Sequence, residues 1–494
     1  MEPVHTLILG AGPSGLAAGY MLAKAGLKPV VLEKDKVPGG LMRSIKYREF
    51  SIDLGRKELY NRIAKVDALW SKILGSDYRD YPHRGGILYN GAIIDMSPRF
   101  LGFRRGMPWQ MFIGCSVDFM LAWIKPGTSK PRNVEEYFYQ TRGRRMTQIF
   151  SQGFQEKLAG RKWAEIALPE NWENGAGAGF ASTVREALVR AFSKKEVNTY
   201  KDIWRHPAKG SGQISEILAD EIVKLGGQIH YQGKVVKIDS AEGIINSVTA
   251  HIGNSETIVF KPSHVVSSIP PEFLKRLLFS QPVPAPLVAP KSNESGSAIG
   301  HSPLKVPKRT VVLVYLFLEE KPRFPHAWLN VTCPGTRIGR ITNYSAFNGD
   351  MVPKGKTCLC CEFYCFGPDP LLEMDDKKMA QTALDDCARS SLIDAVKCFD
   401  QLVFRFPGAD ASQNRDNWMS PSRLKLLADL EQFRNLYYVN RTETDIATLA
   451  GMEAAEAILS GDRTHFDRRV DPAELGIRSE SKAFEFHLPV SVEL

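Results

Sequence analysis

Three glycines close to the N-terminus carry the sharpest chemical signal in the sequence. Gly10, Gly12 and Gly15 have the spacing Gly-x-Gly-x-x-Gly, with Pro13 and Ser14 between the last two. In that spacing the first glycine permits a tight turn. The second lets the backbone approach a pyrophosphate, and the third lets a helix pack close to a sheet. The motif needs a strand before it and a helix after it. His5-Thr6-Leu7-Ile8-Leu9 is a short apolar run that ends at Gly10, and Leu16 to Ala25 reads as a helix stopped by Gly26. The N-terminus of that helix would offer free N–H donors and partial positive charge to phosphates. A second apolar run, Pro29-Val30-Val31-Leu32, ends at Glu33, eighteen residues after Gly15. A carboxylate there accepts ribose hydroxyls and repels a 2′-phosphate. Glu33 and the adjoining Lys34 therefore join Gly10, Gly12, Pro13, Ser14 and Gly15 as a candidate dinucleotide site. The order strand, glycine turn, helix, strand, acid is a βαβ unit, so the expected fold class is α/β with a Rossmann-like domain.

Other reactive residue types give weaker patterns. Cys358, Cys360, Cys361 and Cys365 crowd one strand, Thr357 to Cys365. Strand alternation puts Cys358, Cys360 and Glu362 on one face, and Cys361, Phe363 and Cys365 on the other. Such neighbours do not form a tetrahedral chelate, and no second His/Cys cluster lies nearby. They read as small buried residues, with no metal site. Neither a Ser-His-Asp set nor an HExxH string is present. Basic residues gather in the middle of the chain: Arg104-Arg105, then Arg142, Arg144 and Arg145, then Arg161-Lys162. No zinc finger, helix-turn-helix or RNP-like string accompanies them, so nucleic acid is not an expected partner. Trp109 to Ile124 is apolar nearly all round, yet too short to span a bilayer, which takes about 20 residues. It is read either as a buried helix or as a monotopic, peripheral membrane contact flanked by Arg104, Arg105 and Lys125.

The elements that must position these residues fit a chain of 494 residues, enough for two or three domains. With 43% hydrophobic and 24% charged residues, collagen-like, disordered and coiled-coil chains are excluded. The net charge of +9 favours anionic surfaces or substrates. Eight cysteines are too few for a disulfide scaffold, and the first residues run into a strand without a signal-peptide pattern, so a reducing, cytoplasmic setting is expected. From about Lys65 to Pro169 the pattern reads as helical and aromatic. Gly210-Ser211-Gly212 opens a helix over Ile214 to Leu225. Strands are expected at Ile229–Tyr231, Val235–Ile238, Ser247–His251, Thr257–Phe260 and from His264. Gln281 to Arg309 is rich in Pro, Ser and Gly and reads as a loop. A last long helix is expected from about Leu449 to Leu459.

Gly39-Gly40-Leu41-Met42-Arg43-Ser44 follows the acid at once. Here the sequence resembles the flavin amine oxidase and protoporphyrinogen oxidase-like superfamily, which also holds carotenoid desaturases and UDP-galactopyranose mutase. Those proteins carry a GG-x-x-R-S/T string after the ribose-binding acid. Phe50 to Gly55 resembles the family's D-x-G segment, and Lys209 to Gln213 its middle glycine turn. Val235 falls where family members contact adenine by backbone. Arg441 and Gly451-Met452-Glu453-Ala454 resemble the C-terminal segment that closes over the flavin. The resemblance implies FAD, held by Gly39, Gly40, Leu41, Arg43, Val235, Gly451 and Met452 in addition to the first site. It also implies a discontinuous FAD domain over 1–65, 205–280 and 430–470. A mixed-sheet and helical substrate domain would occupy 66–204 and 309–429, with 281–308 as a flexible loop. A helix starting near Leu449 would aim its positive end at the flavin pyrimidine ring.

Two departures from the family bear on function. Arg56-Lys57 stands after Gly55 where many members have a Gly-His pair. In the mutases a C-terminal arginine is followed by two tyrosines, whereas Arg441 is followed by Thr444-Asp445-Ile446. The catalytic candidates are Arg56, Lys57, Tyr344 and Arg441, with Tyr364 as a further aromatic wall. The expected activity is FAD-dependent oxidation or desaturation of a small-molecule substrate, with oxygen or a quinone-like acceptor taking the electrons. The alternatives are a redox-neutral mutase and a non-catalytic FAD-binding protein. Only one complete Gly-x-Gly-x-x-Gly unit is visible, so no separate nicotinamide domain is expected.

Overall fold

Successive residues of the first strand face opposite ways, and both ways are buried. The computed structural model describes residues 2–59, 62–96, 106–124, 131–166, 203–253, 256–279, 309–407, 428–441 and 443–467. The segment 281–308, with Arg104, Arg105 and Lys125, lies outside the described residues. In the strand Glu2–Leu9, Ile8 packs with Val31 and Val266 against three helices, Pro13–Lys24, Gly212–Lys224 and Thr444–Ser460. Leu7 and Leu9 pack the other way, with Leu32, Val265, Val248 and Leu274. A strand buried on both faces reads as a continuous apolar run, which is what the sequence has there.

This first sheet has seven strands. The parallel neighbours of Glu2–Leu9 are Val30–Glu33 on one side and Glu256–Ser267 on the other. Gln228–Tyr231 extends one edge beside Val30–Glu33, and the antiparallel hairpin Gly233–Ala241 and Ile244–Ile252 extends the other. Leu436–Tyr438 pairs in parallel with the end of Glu256–Ser267. The sequence suggested two strands where the structure has one, Glu256–Ser267, running through Pro262. Proline is tolerated because Ile244–Ile252 has stopped pairing at Phe260 and Leu436–Tyr438 starts only at Val265.

The second sheet also has seven strands, in the order Cys398–Phe406, Arg309–Leu318, Thr357–Phe366, Ile338–Asn343, Trp328–Val331, Gly85–Tyr89, Ala92–Asp95. The alternation expected for the cysteine strand is present. Cys361, Phe363 and Cys365 pack with Val312, Val314 and the helix Asp376–Arg389. Cys358 and Cys360 join Tyr315, Phe317, Tyr344 and Trp204 on the opposite face. That second face is laid against the hairpin Ser44–Tyr47 and Phe50–Asp53, through Phe50, Ile52 and Leu54.

The stretch from Lys65 to Pro169 is less helical than its composition suggests. After the helix Ala64–Leu74 it contributes the strands Tyr78–Pro82, Gly85–Tyr89 and Ala92–Asp95. Gly85-Gly86 pairs with Trp328 and Leu329, and a Cβ on Gly85 would stand 2.5 Å from the Trp328 ring. That strand pairs with a partner more than 240 residues away as well as with Ala92–Asp95 next to it. Helices resume at Trp109–Ile124 and Val134–Arg142.

Candidate functional site

The site begins at the first glycine turn. Gly10 has φ +99°, and its N–H donates to the Leu32 carbonyl at 2.8 Å. The helix Pro13–Lys24 starts at Gly12 with Pro13 in its first turn and no side-chain cap over its first N–H groups. The glycines answer to different constraints. A Cβ on Gly15 would stand 2.0 Å from the Gly10 carbonyl, so that position is closed by packing. A Cβ on Gly12 would meet nothing within 4 Å. The space above Gly12 is bounded by a second turn, in which Gly39 and Gly40 have φ of +104° and +54°. Gly39 N–H donates to the Ala11 carbonyl at 2.7 Å, and a Cβ on Gly40 would see only the Gly12 Cα, at 3.8 Å. Two glycine turns thus face each other across open space at an uncapped helix N-terminus. That is the shape and polarity a pyrophosphate requires.

Glu33, buried, is fixed by two backbone donors: Ala11 N–H to Oε2 at 2.8 Å and Asp35 N–H to Oε1 at 2.9 Å. Each oxygen keeps a further lone pair for a ribose hydroxyl. Arg43 pairs with Asp35 at 2.6 Å and so braces the loop between the two turns. Lys34 and Leu41 are exposed beside it. Val235 is buried in the strand Gly233–Ala241, next to a bulge between Val235 and Lys237.

Asp53, wholly buried, links this cradle to the rest of the site. Its Oδ1 accepts from Ser44 Oγ at 2.6 Å and from Ser211 N–H at 3.0 Å. Ser44 Oγ accepts from Gly212 N–H at 2.8 Å, and Ser211 Oγ donates to the Met42 carbonyl at 2.8 Å. Asp53 Oδ2 lies 3.4 Å from Nε2 of His206, also wholly buried. The D-x-G segment, the middle glycine turn and the Gly39–Gly40 turn are thereby one hydrogen-bonded unit. Sequence reasoning missed His206 and named Ser211 only as part of the middle glycine turn, because their partners are distant in the chain.

Beyond Asp53 the chain bends through Gly55, φ +74°, into the second sheet. Tyr315 Oη donates to the Asp53 carbonyl at 2.6 Å and accepts from Gly55 N–H at 3.1 Å. Tyr344 Oη lies 2.8 Å from the Asp53 carbonyl and 3.1 Å from that of Gly55. Glu362 Oε1 accepts from Arg56 N–H at 3.2 Å, Tyr364 Oη donates to Oε2 at 2.8 Å, and Arg340 lies 3.6 Å from the same oxygen. Tyr344 is therefore a buried clamp on the bend rather than a substrate wall: its hydroxyl is spent on backbone carbonyls. Burial drives the hydroxyls of both Tyr315 and Tyr344 far above the usual tyrosine range.

Arg56 and Lys57 part company in the structure. The Arg56 guanidinium stacks 4.2 Å over Trp328 and pairs at 2.5 Å with Glu58, which also meets His83 at 2.7 Å. Its charge is accounted for. Lys57 pairs with no carboxylate among the described residues. Burial lowers its proton affinity from the ordinary 10.5, against the pull of Glu362 and Asp53. A desolvated, poorly partnered ammonium is costly unless something anionic or polar is to meet it.

The C-terminal helix differs from the expectation. It starts at Thr444, five residues before Leu449. Arg62 holds its first turn by pairing with Glu443 and, at 2.9 Å, with Asp445. Gly451 and Met452 consequently lie two turns inside the helix, away from its positive end. A Cβ on Gly451 would stand 2.0 Å from the Ser14 carbonyl, so this glycine lets two helices touch, and Met452 is buried in the same core. Apolar periodicity could not locate the start, because Thr444 is polar and Asp445 and Thr448 are buried polar residues. Arg441 donates to the carbonyls of Tyr438 and Asn440, at 3.2 and 2.9 Å, just ahead of that first turn.

Comparison with known proteins bears on this geometry. The profile of flavin containing amine oxidoreductases matches residues 13–390. All-trans-zeta-carotene desaturase of Myxococcus xanthus is 43% identical over 54 residues, which is 10% of each chain. L-amino-acid oxidase of Daboia russelii is 55% identical over 43 residues, 9% of this chain and 8% of that one. The chain thus aligns with about a tenth of the length of these curated relatives. Among solved structures, reduced UDP-galactopyranose mutase superposes with a TM-score of 0.68 at 17% identity, covering 96% of this chain and 98% of that one. Putrescine oxidase bound to putrescine superposes with a TM-score of 0.53 at 12% identity, covering 93% and 99%. These likenesses show the fold, with its Rossmann-like FAD domain.

Proposed function

The chain belongs to the flavin containing amine oxidoreductases, and from that premise we propose that it oxidises or desaturates a small to medium organic substrate, passing a hydride to FAD, with oxygen or a quinone-like compound as final acceptor. FAD is the cofactor, and when bound it supplies a hydride acceptor at its N5. The observation that carries the reading is the open space between Gly12 and Gly40, coupled through Asp53 to the bend that presents Lys57.

The protein's own residues supply binding and orientation. Gly12 and the helix N-terminus take the pyrophosphate, and Glu33 takes the ribose. Tyr315, Tyr344 and Glu362 hold the bend at 53–56 rigid from the second sheet. Lys57 is the substrate-facing cation, since its desolvated ammonium gains most from an anionic or carbonyl group on the substrate. Arg56 shapes the wall with Trp328 and stays neutralised by Glu58. A redox-neutral mutase reading is disfavoured at the C-terminal helix. There Thr444, Asp445 and Ile446 stand in place of the two tyrosines of the mutases, and Asp445 is buried and committed to Arg62.

An anaerobic screen tests the proposal. The purified yellow protein is mixed with L-amino acids, primary amines, hydroporphyrins and polyenes, and loss of flavin absorbance is followed. The expected result is bleaching by one class, with recovery on admitting oxygen or a quinone and net formation of oxidised product. Turnover of a substrate with no acceptor consumed would overturn the oxidoreductase reading.

A further inference from the structure

The helix Trp109–Ile124 packs on one side and leaves an apolar stripe on the other. Cys115 is buried in the cluster formed with Val134, Phe138, Ile149 and Trp163, and Met111 and Phe112 pack against it. Trp109, Ile113, Val117, Met120 and Leu121 stay 58, 56, 44, 56 and 53% exposed. At 100° per residue these five fall within one third of the helix circumference. A single exposed apolar residue needs no explanation, but five on one face mark an interaction surface.

The charges that flank the helix in the sequence, and the groove beside it, say what covers it. Residues 99–132 contain six basic residues, Arg99, Arg104, Arg105, Lys125, Lys130 and Arg132, against one acid, Asp118. Beside the stripe is an open groove of about 690 Å³ bordered by Leu121, Tyr139, Arg144 and Arg145. Its two acids are already matched: Asp118 with Arg145 at 2.9 Å, and Glu136 with Arg132 at 2.5 Å. Arg144 is exposed, lies 5.4 Å from the Tyr139 ring centre, and has no carboxylate partner among the described residues. No described helix is long and apolar enough to cross a membrane. We propose that this face rests on an anionic lipid bilayer, with the five apolar side chains in the interface and Arg144 on a headgroup phosphate. Apolar insertion and basic flanks are the two signals that together hold a protein on a membrane surface. The proposal is independent of the flavin reading, because it rests on no residue of the cofactor site.

Flotation of the FAD-loaded protein with vesicles tests it. Phosphatidylcholine vesicles with phosphatidylglycerol should carry the protein upward at low salt and much less at high salt. The double variant Ile113→Asp with Met120→Asp should bind at least about tenfold more weakly, given the value of burying two such side chains. Arg144→Glu should weaken binding to the phosphatidylglycerol vesicles. All these positions are exposed, so the flavin spectrum and melting temperature should match wild type. No flotation at low salt would overturn the proposal, as would flotation that the double variant retains. A wild-type dimer that the double variant disperses, without vesicle binding, would assign the face to a second copy of the chain instead.

Discussion

Asp53 and Ser211 stand 158 positions apart in the chain and are joined by a 3.0 Å hydrogen bond from the Ser211 N–H to Asp53 Oδ1. The carboxylate also faces Ser44 and His206 in a fully buried setting. Asp53→Ala should leave a buried N–H and hydroxyl without an acceptor, costing about 1–3 kcal/mol for each group left unsatisfied. The melting temperature and FAD affinity should fall together. Calorimetry with and without added FAD measures both, and an unchanged melting temperature would remove Asp53 from this role.

Gly12 and Gly15 should fail in different ways. The Cβ of Gly12→Val would meet no protein atom within 4 Å, so the protein should fold but purify colourless. Gly15→Ala drives a methyl into the Gly10 carbonyl and should cost about 1–3 kcal/mol of stability. Circular dichroism melts and flavin content on the two variants separate the effects. In the wild-type protein, acid precipitation should release all the FAD into the supernatant.

Lys57 carries the sharpest catalytic test. Lys57→Met should slow anaerobic flavin bleaching by the identified substrate about 100-fold or more, the scale of a positioned polar group. Burial lowers the amine's proton affinity, so the charge is lost below the ordinary pH of 10.5. The wild-type rate should therefore fall as pH rises, at a pH below that of a free lysine, and that limb should vanish in Lys57→Met. A profile identical in the two proteins would show that Lys57 does not meet the substrate.

Reduced nicotinamides should not bleach the flavin within turnover time. The Lys209–Gln213 turn has Gly210-x-Gly212 without a third glycine, and its N–H groups are committed to Asp53 and Ser44. Anaerobic stopped-flow mixing with NADH and NADPH measures this. Fast bleaching by either would move the reading toward a reductase, or a mutase that needs prior reduction.

Glu453 should make stability depend on pH. Burial raises its carboxyl from 4.5 to about 7, opposed by Lys65 and Arg441. The folded state therefore binds a proton that the unfolded chain releases, and its stabilising contribution is complete below pH 4.5 and lost as pH rises through about 7. Glu453→Gln should match wild type at low pH and melt higher at pH 8. Equal melting temperatures at pH 8 would rule the group out.

The sequence by itself determined the βαβ unit, because Gly10, Gly12, Gly15 and Glu33 and the strands and helix around them are local. It also determined the alternation of the cysteine strand, since period-2 burial follows from the pleat. What it did not determine falls where the cause lies far along the chain. Gly85–Tyr89, in a stretch whose composition reads as helical, is held in the second sheet by Trp328–Val331 as well as by its neighbour Ala92–Asp95. Gly451 became a helix contact because Ser14 lies against it, while the helix start moved to Thr444 because Arg62 holds Glu443 and Asp445. Arg56 and Lys57, adjacent and both cationic, are alike in sequence. Only the fold, by giving Glu58 and Trp328 to one and desolvation to the other, decided which of them keeps an uncommitted charge. Local geometry sets a turn, but the electrostatic state of a side chain is set by the partners that tertiary packing brings to it.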